Sequence, residues 1–185
     1  MNSDLYFEFE NNFRGDSLSL KQSLTSYDSL VDLIIKHNKH NFFIDIGCGR
    51  GEWIDKWRTS VNKCIGLELN EGMFNICKAK NLDVFLSDPL DFLRDIADDS
   101  VSLISMFHVI EHITHDQLIL LLAECHRVLS QKGLLLMETP SIDNLLVSSK
   151  NFYLDHTHIN HINPDGVIFF LDKIGYSHSE YFYIH

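Results

Sequence analysis

The stretch FFIDIGCGRGEW, residues 42–53, decides the fold. A short apolar run, Phe42-Phe43-Ile44-Asp45-Ile46, reads as a buried strand. It breaks into three glycines at alternate positions, Gly47, Gly49 and Gly51, and EWIDKW after them reads as a helix. Glycines there let the main chain turn sharply and approach a ligand with no Cβ in the way. A dinucleotide fingerprint, G-x-G-x-x-G, would need its third glycine at position 52, where Glu52 stands. A P-loop is excluded because no Gly-Lys-Ser/Thr follows. What remains is G-x-G-x-G with an acid, Asp45, two residues ahead of it. An ordinary tight strand-to-helix turn would use the same glycines, so the loop alone does not choose.

Outward from the loop, the pattern alternates. KCIGLEL (63–69), DVFLSD (83–88), VSLISMF (101–107), LLLMET (134–139) and YSHSEYFYI (176–184) read as strands. Helices are expected over 71–80, 91–97, 115–129 and 164–174. Thr114 and Gln117 form a capping box; Asn163, Pro164 and Gly175 mark the ends of the last helix. Before the first strand, Leu20, Leu24, Tyr27, Val31 and Ile34 recur at helical spacing, predicting one amphipathic helix over 17–37 capped by Asp16. Strands apolar nearly throughout and alternating with helices imply one α/β unit. It is a Rossmann-like, doubly wound, mostly parallel sheet with helices on both faces. Residues 1–41 form an N-terminal helical cap or lid and 42–185 the binding domain. Ligands of such sheets sit beyond the carboxyl ends of the strands, near the switch in strand order.

Acids stand where that rule points. Glu68 ends the second strand, 23 residues after Asp45, where a carboxylate can take both hydroxyls of a ribose. Asp88 ends the third, where one can accept from an adenine amino group. Each alone reads as a solvated strand end. Three on successive strands after this loop point to a nucleoside.

Composition bounds the partners. The 185 residues carry a formal charge of −11, which repels polyanions, and there is no Lys/Arg cluster; nucleic acid is not the expected partner. Four cysteines without paired spacing read as reduced thiols. No apolar stretch is long enough to span a bilayer, and MNSDLYFEFE lacks the features of a signal peptide, so a cytoplasmic location is expected.

Five segments, FFIDIGCGRGEW (42–53), CIGLELN (64–70), FLSDPLDFL (85–93), SMFHVIEHI (105–113) and HRVLSQKGLLLMETP (126–140), together resemble the successive motifs of class I S-adenosylmethionine-dependent methyltransferases. The resemblance implies that Asp45, Gly47, Gly49 and Gly51 frame the methionine part of the cofactor. It places Glu68 on the ribose and Asp88 on the adenine amino group, with Cys48, Leu69 and Pro89 beside them. Phe107 and His108 would line the same pocket. Ser102 stands where the family often has Asp. The resemblance also implies a last, antiparallel strand; the chain stops after the expected sixth, so that strand is expected to be missing, as in a fragment or a shortened variant.

The ends of the chain resemble a narrower group. FENNFRG (9–15), with Lys21 and Tyr27, and NFYLDHTH (151–158) are similar to methyltransferase domains of bacterial surface-polysaccharide assembly, including those that cap a growing O-antigen chain and are often fused to a glycosyltransferase or kinase. That likeness implies O-methylation of a saccharide or lipid-linked saccharide, at a hydroxyl or a terminal phosphate. His156 and Ser23 depart from the group's Pro and Arg. A hydroxyl acceptor needs a base, and a histidine, with its ordinary pKa of about 6.5, suits that task. His108 and His158 are the candidates, with Tyr153 shaping the pocket and Arg14 docking an anionic acceptor.

This reading needs no metal ion. A second one does: Glu111-His112 and the His-containing loop at 155–158 resemble the metal site of small-RNA terminal 2′-O-methyltransferases, although His108 stands where that group has Glu. A third is a cofactor-binding regulatory domain without turnover.

Overall fold

A strand that is apolar on both faces must be covered on both, and the helices alternate sides to do it. The computed structural model describes residues 8–9, 12–13, 15 and 17–184. Its strands are β1 (Phe42–Ile46), β2 (Lys63–Glu68), β3 (Val84–Leu86), β4 (Val101–Phe107) and β5 (Leu129–Glu138), in the order β3-β2-β1-β4-β5, with all neighbours parallel. The order reverses between β1 and β4, and the chains leaving these two strands diverge there.

The helices are α1 (Ser17–Ser23), α2 (Asp28–His37), α3 (Glu52–Trp57), α4 (Glu71–Ala79), α5 (Pro89–Arg94), α6 (His115–Val128) and α7 (Pro164–Ile174). On one face of the sheet, Ile44, Ile46, Ile104 and Met106 pack against Leu93 of α5, Leu118, Leu121 and Leu122 of α6, and Val167 and Leu171 of α7. On the other, Phe43, Leu103 and Phe107 meet Val31 of α2, Trp53, Ile54 and Trp57 of α3, and Cys77 of α4. Each fully buried Leu or Ile contributes roughly 1.5–3 kcal/mol, so the two cores outweigh the caps and ion pairs. Among the described residues, no helix is long and apolar enough to cross a membrane.

The α/β architecture is as the sequence implies, and the Thr114–Gln117 capping box and the α7 cap are present. Three expectations are corrected. The helix over 17–37 is broken by a 3-10 turn at Leu24–Tyr27. Ser23 Oγ donates to the Leu20 carbonyl (2.8 Å) and Thr25 Oγ1 to that of Gln22 (2.6 Å). Such hydroxyls compete with the helical ladder, and the turn buries Leu24 and Tyr27. Asp16 lies outside the described residues.

Asp88 is a helix cap rather than a strand tip. Its Oδ1 accepts from the Leu90 and Asp91 amides (2.8 and 3.3 Å), Pro89 takes the first turn, and the helix runs Pro89–Arg94 instead of 91–97. Finally, residues 176–184 form no strand. Their aromatic alternation suits a sheet, but strand propensity acts through pairing and burial. Tyr181, Phe182 and Tyr183 are exposed, and no described segment pairs with them.

Candidate active site

The chain leaving β1 is held to β2 by hydrogen bonds. The Gly47 and Cys48 amides both donate to the Leu67 carbonyl (2.9 and 3.0 Å). The Glu68 carboxylate accepts from the Gly49 amide (2.8 Å), and from Leu69 and Asn70 at its own strand end (2.9 and 2.8 Å). Two of the glycines are required by φ and by space together. Gly47 has φ +68°, and a Cβ there would lie 2.5 Å from Val109 Cγ2; Gly51 has φ +79°, and its Cβ would lie 2.3 Å from Leu82 Cδ1. Asp45 is buried beneath the turn, where Ser105 Oγ, its register partner on β4, donates to it at 2.7 Å.

A cavity of about 490 Å³ opens beyond the carboxyl ends of β1, β4 and β5. Asp45, Gly47, Cys48, Glu52 and Trp53 form one wall, and Phe107, His108, His112 and Glu138 another. The rim comes from Asn151, Leu154, Asp155 and His158 on one side and from Phe9, Phe13, Leu20, Ser23 and Leu24 on the other. The cavity therefore brings together six of the expected site residues: Asp45, Gly47, Cys48, Phe107, His108 and His158.

The remainder lie apart from it. Glu68 and the 67 % exposed Leu69 sit next along the sheet, tied to the turn through Gly49. Asp88 and Pro89 lie one strand further, past Leu86, which pairs in register with Glu68. Gly49 and Gly51 are outside the lining, Gly51 being committed to packing against Leu82 and Cys77. Tyr153 points outward, 65 % exposed, while its neighbours Asn151 and Leu154 line the rim. Arg14 is outside the described residues.

The sequence reading passed over Glu52, Trp53, Glu138 and Asp155. Glu138 carried a usable signal: it ends an apolar strand, LLLME, as Glu68 does. Tyr27 donates to its Oε2 at 2.5 Å, and burial and this carboxylate both keep the phenol protonated. Cys48 likewise stays a neutral thiol, raised by its hydrogen bond with Cys77 and by burial, so it offers no thiolate.

His108, one of the two expected bases, lies in an acidic setting. Its backbone is left-handed, φ +56°, a strained conformation for a non-glycine residue. The ring stands between two carboxylates, with Nδ1 3.4 Å from Glu111 Oε1 and Nε2 3.3 Å from Glu138 Oε1. Desolvation disfavours its charge, but Glu111 and Glu138 outweigh that and push it up to about 9. The two carboxylates thus favour the protonated form of the ring.

His112 and His158 are arranged otherwise. The hydroxyl of Thr157 donates to Asp155 Oδ1 (2.6 Å), so the 2.8 Å contact with His112 Nδ1 has the imidazole as donor. His158 Nδ1 meets the Phe152 carbonyl at 2.6 Å and must also donate. In the neutral form of each ring this contact assigns the lone pair to Nε2. Burial, first among several influences, lowers the pKa of His112 and keeps it neutral.

Residues 44–137 match a family model described as a methyltransferase domain, which takes in half of the chain. Among solved structures, a SAM-dependent methyltransferase from Archaeoglobus fulgidus is 29% identical with a TM-score of 0.81 over 92% of this chain and 73% of that one. Two more distant structures share the fold. One is a putative methyltransferase from Bacillus halodurans (16% identical, TM-score 0.63, 80% of this chain and 67% of that one). The other is the phosphoethanolamine N-methyltransferase 2 of Haemonchus contortus in complex with S-adenosyl-L-methionine (13%, TM-score 0.58, 80% and 36%). No curated protein matches the chain significantly.

Proposed function

The chain belongs to the family of S-adenosylmethionine-dependent methyltransferase domains, and from that premise we propose that it methylates a hydroxyl oxygen of an uncharged saccharide. The cofactor fits the residues present. A turn bare of side chains at Gly47 opens onto the cavity, an exposed apolar Leu69 adjoins the Glu68 carboxylate, and the wall carries Asp45, Glu52 and Glu138. Bound there, S-adenosylmethionine supplies a methyl group on a cationic sulfur. In this reading Asp45, Gly47 and Cys48 receive its amino-acid end, Glu68 and Leu69 its nucleoside, and Asp88 and Pro89 the edge of its base. The acidic wall favours a cation over an anionic dinucleotide.

One observation carries the choice of acceptor. Among the described residues, the cavity lining holds Asp45, Glu52, Glu138 and Asp155 but no Lys or Arg. Protonated His108 already stands between two carboxylates. Among the described residues no Lys or Arg of the lining replaces the hydration a phosphate would give up here, whereas a polyhydroxyl acceptor finds carboxylate acceptors and the apolar faces of Trp53 and Phe107. The likeness of NFYLDHTH to surface-polysaccharide methyltransferases supports a saccharide, since that segment supplies Asn151, Leu154, Asp155 and His158 to the rim.

Methyl transfer asks mainly for alignment of acceptor and donor, and the loop at 151–158 and the N-terminal residues Phe9, Phe13, Leu20, Ser23 and Leu24 both line the space it would occupy. Nε2 of His112 and of His158 carries a lone pair on the acceptor side of the cavity, free to act on the acceptor directly or through a bound ion. Incubation with methyl-labelled cofactor and paired lipid-linked saccharides, phosphorylated and not, tests this reading. Label is expected in the unphosphorylated glycans; transfer confined to the phosphorylated members would overturn it.

A further inference from the structure

We propose that Glu111, His112 and His158 bind one divalent transition-metal cation at the acceptor side of the cavity. One carboxylate oxygen and one nitrogen from each imidazole already lie within 4.8 Å of one another. Glu111 Oε1 and His158 Nε2 are 4.0 Å apart, and the two rings are 4.7 Å between centroids. Around a tetrahedral ion with bonds of about 2.0–2.1 Å, ligand atoms stand about 3.4 Å apart. The three side chains therefore close by about 1 Å or a little more.

Clusters of acids and histidines on a surface are common without any metal, and two features separate this one from them. The first is Glu111, whose side chain is 0% exposed. Its Oε2 accepts from Thr139 Oγ1 (3.0 Å), but Oε1 is buried without a hydrogen bond. A buried carboxylate oxygen with no hydrogen bond, and with one imidazole nitrogen at ion-pair distance, gains from a further positive charge. His108 Nδ1 approaches at 3.4 Å from one side, and His112 and His158 stand on the other.

The second is how the two imidazoles are anchored. Each commits Nδ1–H to a fixed acceptor: His112 to the Thr157 hydroxyl, which is in turn held by Asp155, and His158 to the Phe152 carbonyl. That anchoring selects the tautomer with its lone pair on Nε2, as metal-ligating histidines require. Packing of the His158 ring against Phe152, 4.5 Å between centroids, further fixes its orientation.

Two imidazoles and a carboxylate suit zinc, iron(II), cobalt or manganese better than magnesium or calcium, which prefer all-oxygen sets. Three protein ligands leave a position open, and His112 and His158 both line the cavity. The inference rests on the methyltransferase reading for what fills that position, a hydroxyl oxygen of the acceptor, but not for whether the cation binds. His108 keeps Glu138 as a partner when Glu111 Oε1 turns to the ion.

The test uses the whole chain, stripped with a chelator and dialysed, without cofactor or acceptor. Calorimetric titration with zinc chloride should show one equivalent bound, and cobalt chloride should give visible ligand-field absorption. Glu111→Gln and His158→Gln should each weaken binding at least about tenfold, and His112→Gln serves the same purpose if either fails to fold by circular dichroism. His156→Gln, in the same loop but exposed and outside the cavity, should bind as the parent does. Absence of stoichiometric binding, or undiminished binding by the variants, overturns the site. S-adenosylmethionine binding to the stripped protein is measured separately, so loss of the metal site and loss of the methyltransferase reading give different results.

Discussion

Glu68→Ala should weaken S-adenosylmethionine binding about a hundredfold or more, a loss of about 2.7 kcal/mol. The carboxylate does more than face a ligand. It gathers three backbone N–H groups, from Gly49, Leu69 and Asn70, and so holds the turn after β1 against the tip of β2. Truncation removes a charged acceptor from all three, and hydrogen bonds to charged groups contribute roughly 1.5–3 kcal/mol each where water cannot replace them. Glu68 is only half-buried, so water restores part of that, and about 2–4 kcal/mol of stability should go as well. Calorimetry and thermal melting separate the two effects. Affinity equal to the parent's would remove Glu68, and with it the strand-tip account of nucleoside binding.

Gly66→Val should have the largest effect on stability, about 3 kcal/mol or more, at the upper end of what overpacking a core costs. A Cβ at this position in β2 would lie 2.3 Å from Ile54 Cδ1, 2.6 Å from Cys48 Sγ and 2.9 Å from Cys48 Cβ. Ile54 is fully buried and Cys48 belongs to the glycine turn, so neither moves freely. The midpoint of urea unfolding should fall with little change in slope, and whatever folded protein remains should bind cofactor poorly, because Cys48 is displaced. An unchanged midpoint would show that the turn and the sheet are not packed as described.

What could be read beforehand follows from which forces are local. The parallel sheet was legible because FFIDI, KCIGLE and VSLISMF are apolar on both faces, a pattern that needs cover on both. The caps of α6 and α7 were legible because they are satisfied within four residues. The break in the N-terminal helix was not, since it depends on the rotamers of Ser23 and Thr25 rather than on apolar spacing.

At the site, the turn and its acids were visible in the spacing, whereas contacts between distant segments were not. Tyr27 and Glu138 are 111 residues apart, and nothing in either segment announces the other. Residue type alone suggests a base at His108; that Glu111 and Glu138 both flank its ring, favouring the protonated form, follows from the fold. The S-D-P sequence at Asp88 already carried a helix-cap signature, and a strand tip was read over it.

The most direct measurement is a crystal structure of the protein soaked with S-adenosylhomocysteine, the demethylated product. Density should run from the cavity wall at Asp45 and Gly47 to Glu68, with the nucleoside over Leu69 and its ribose on the Glu68 carboxylate. Density elsewhere, or a ligand touching neither Gly47 nor Glu68, would contradict the account.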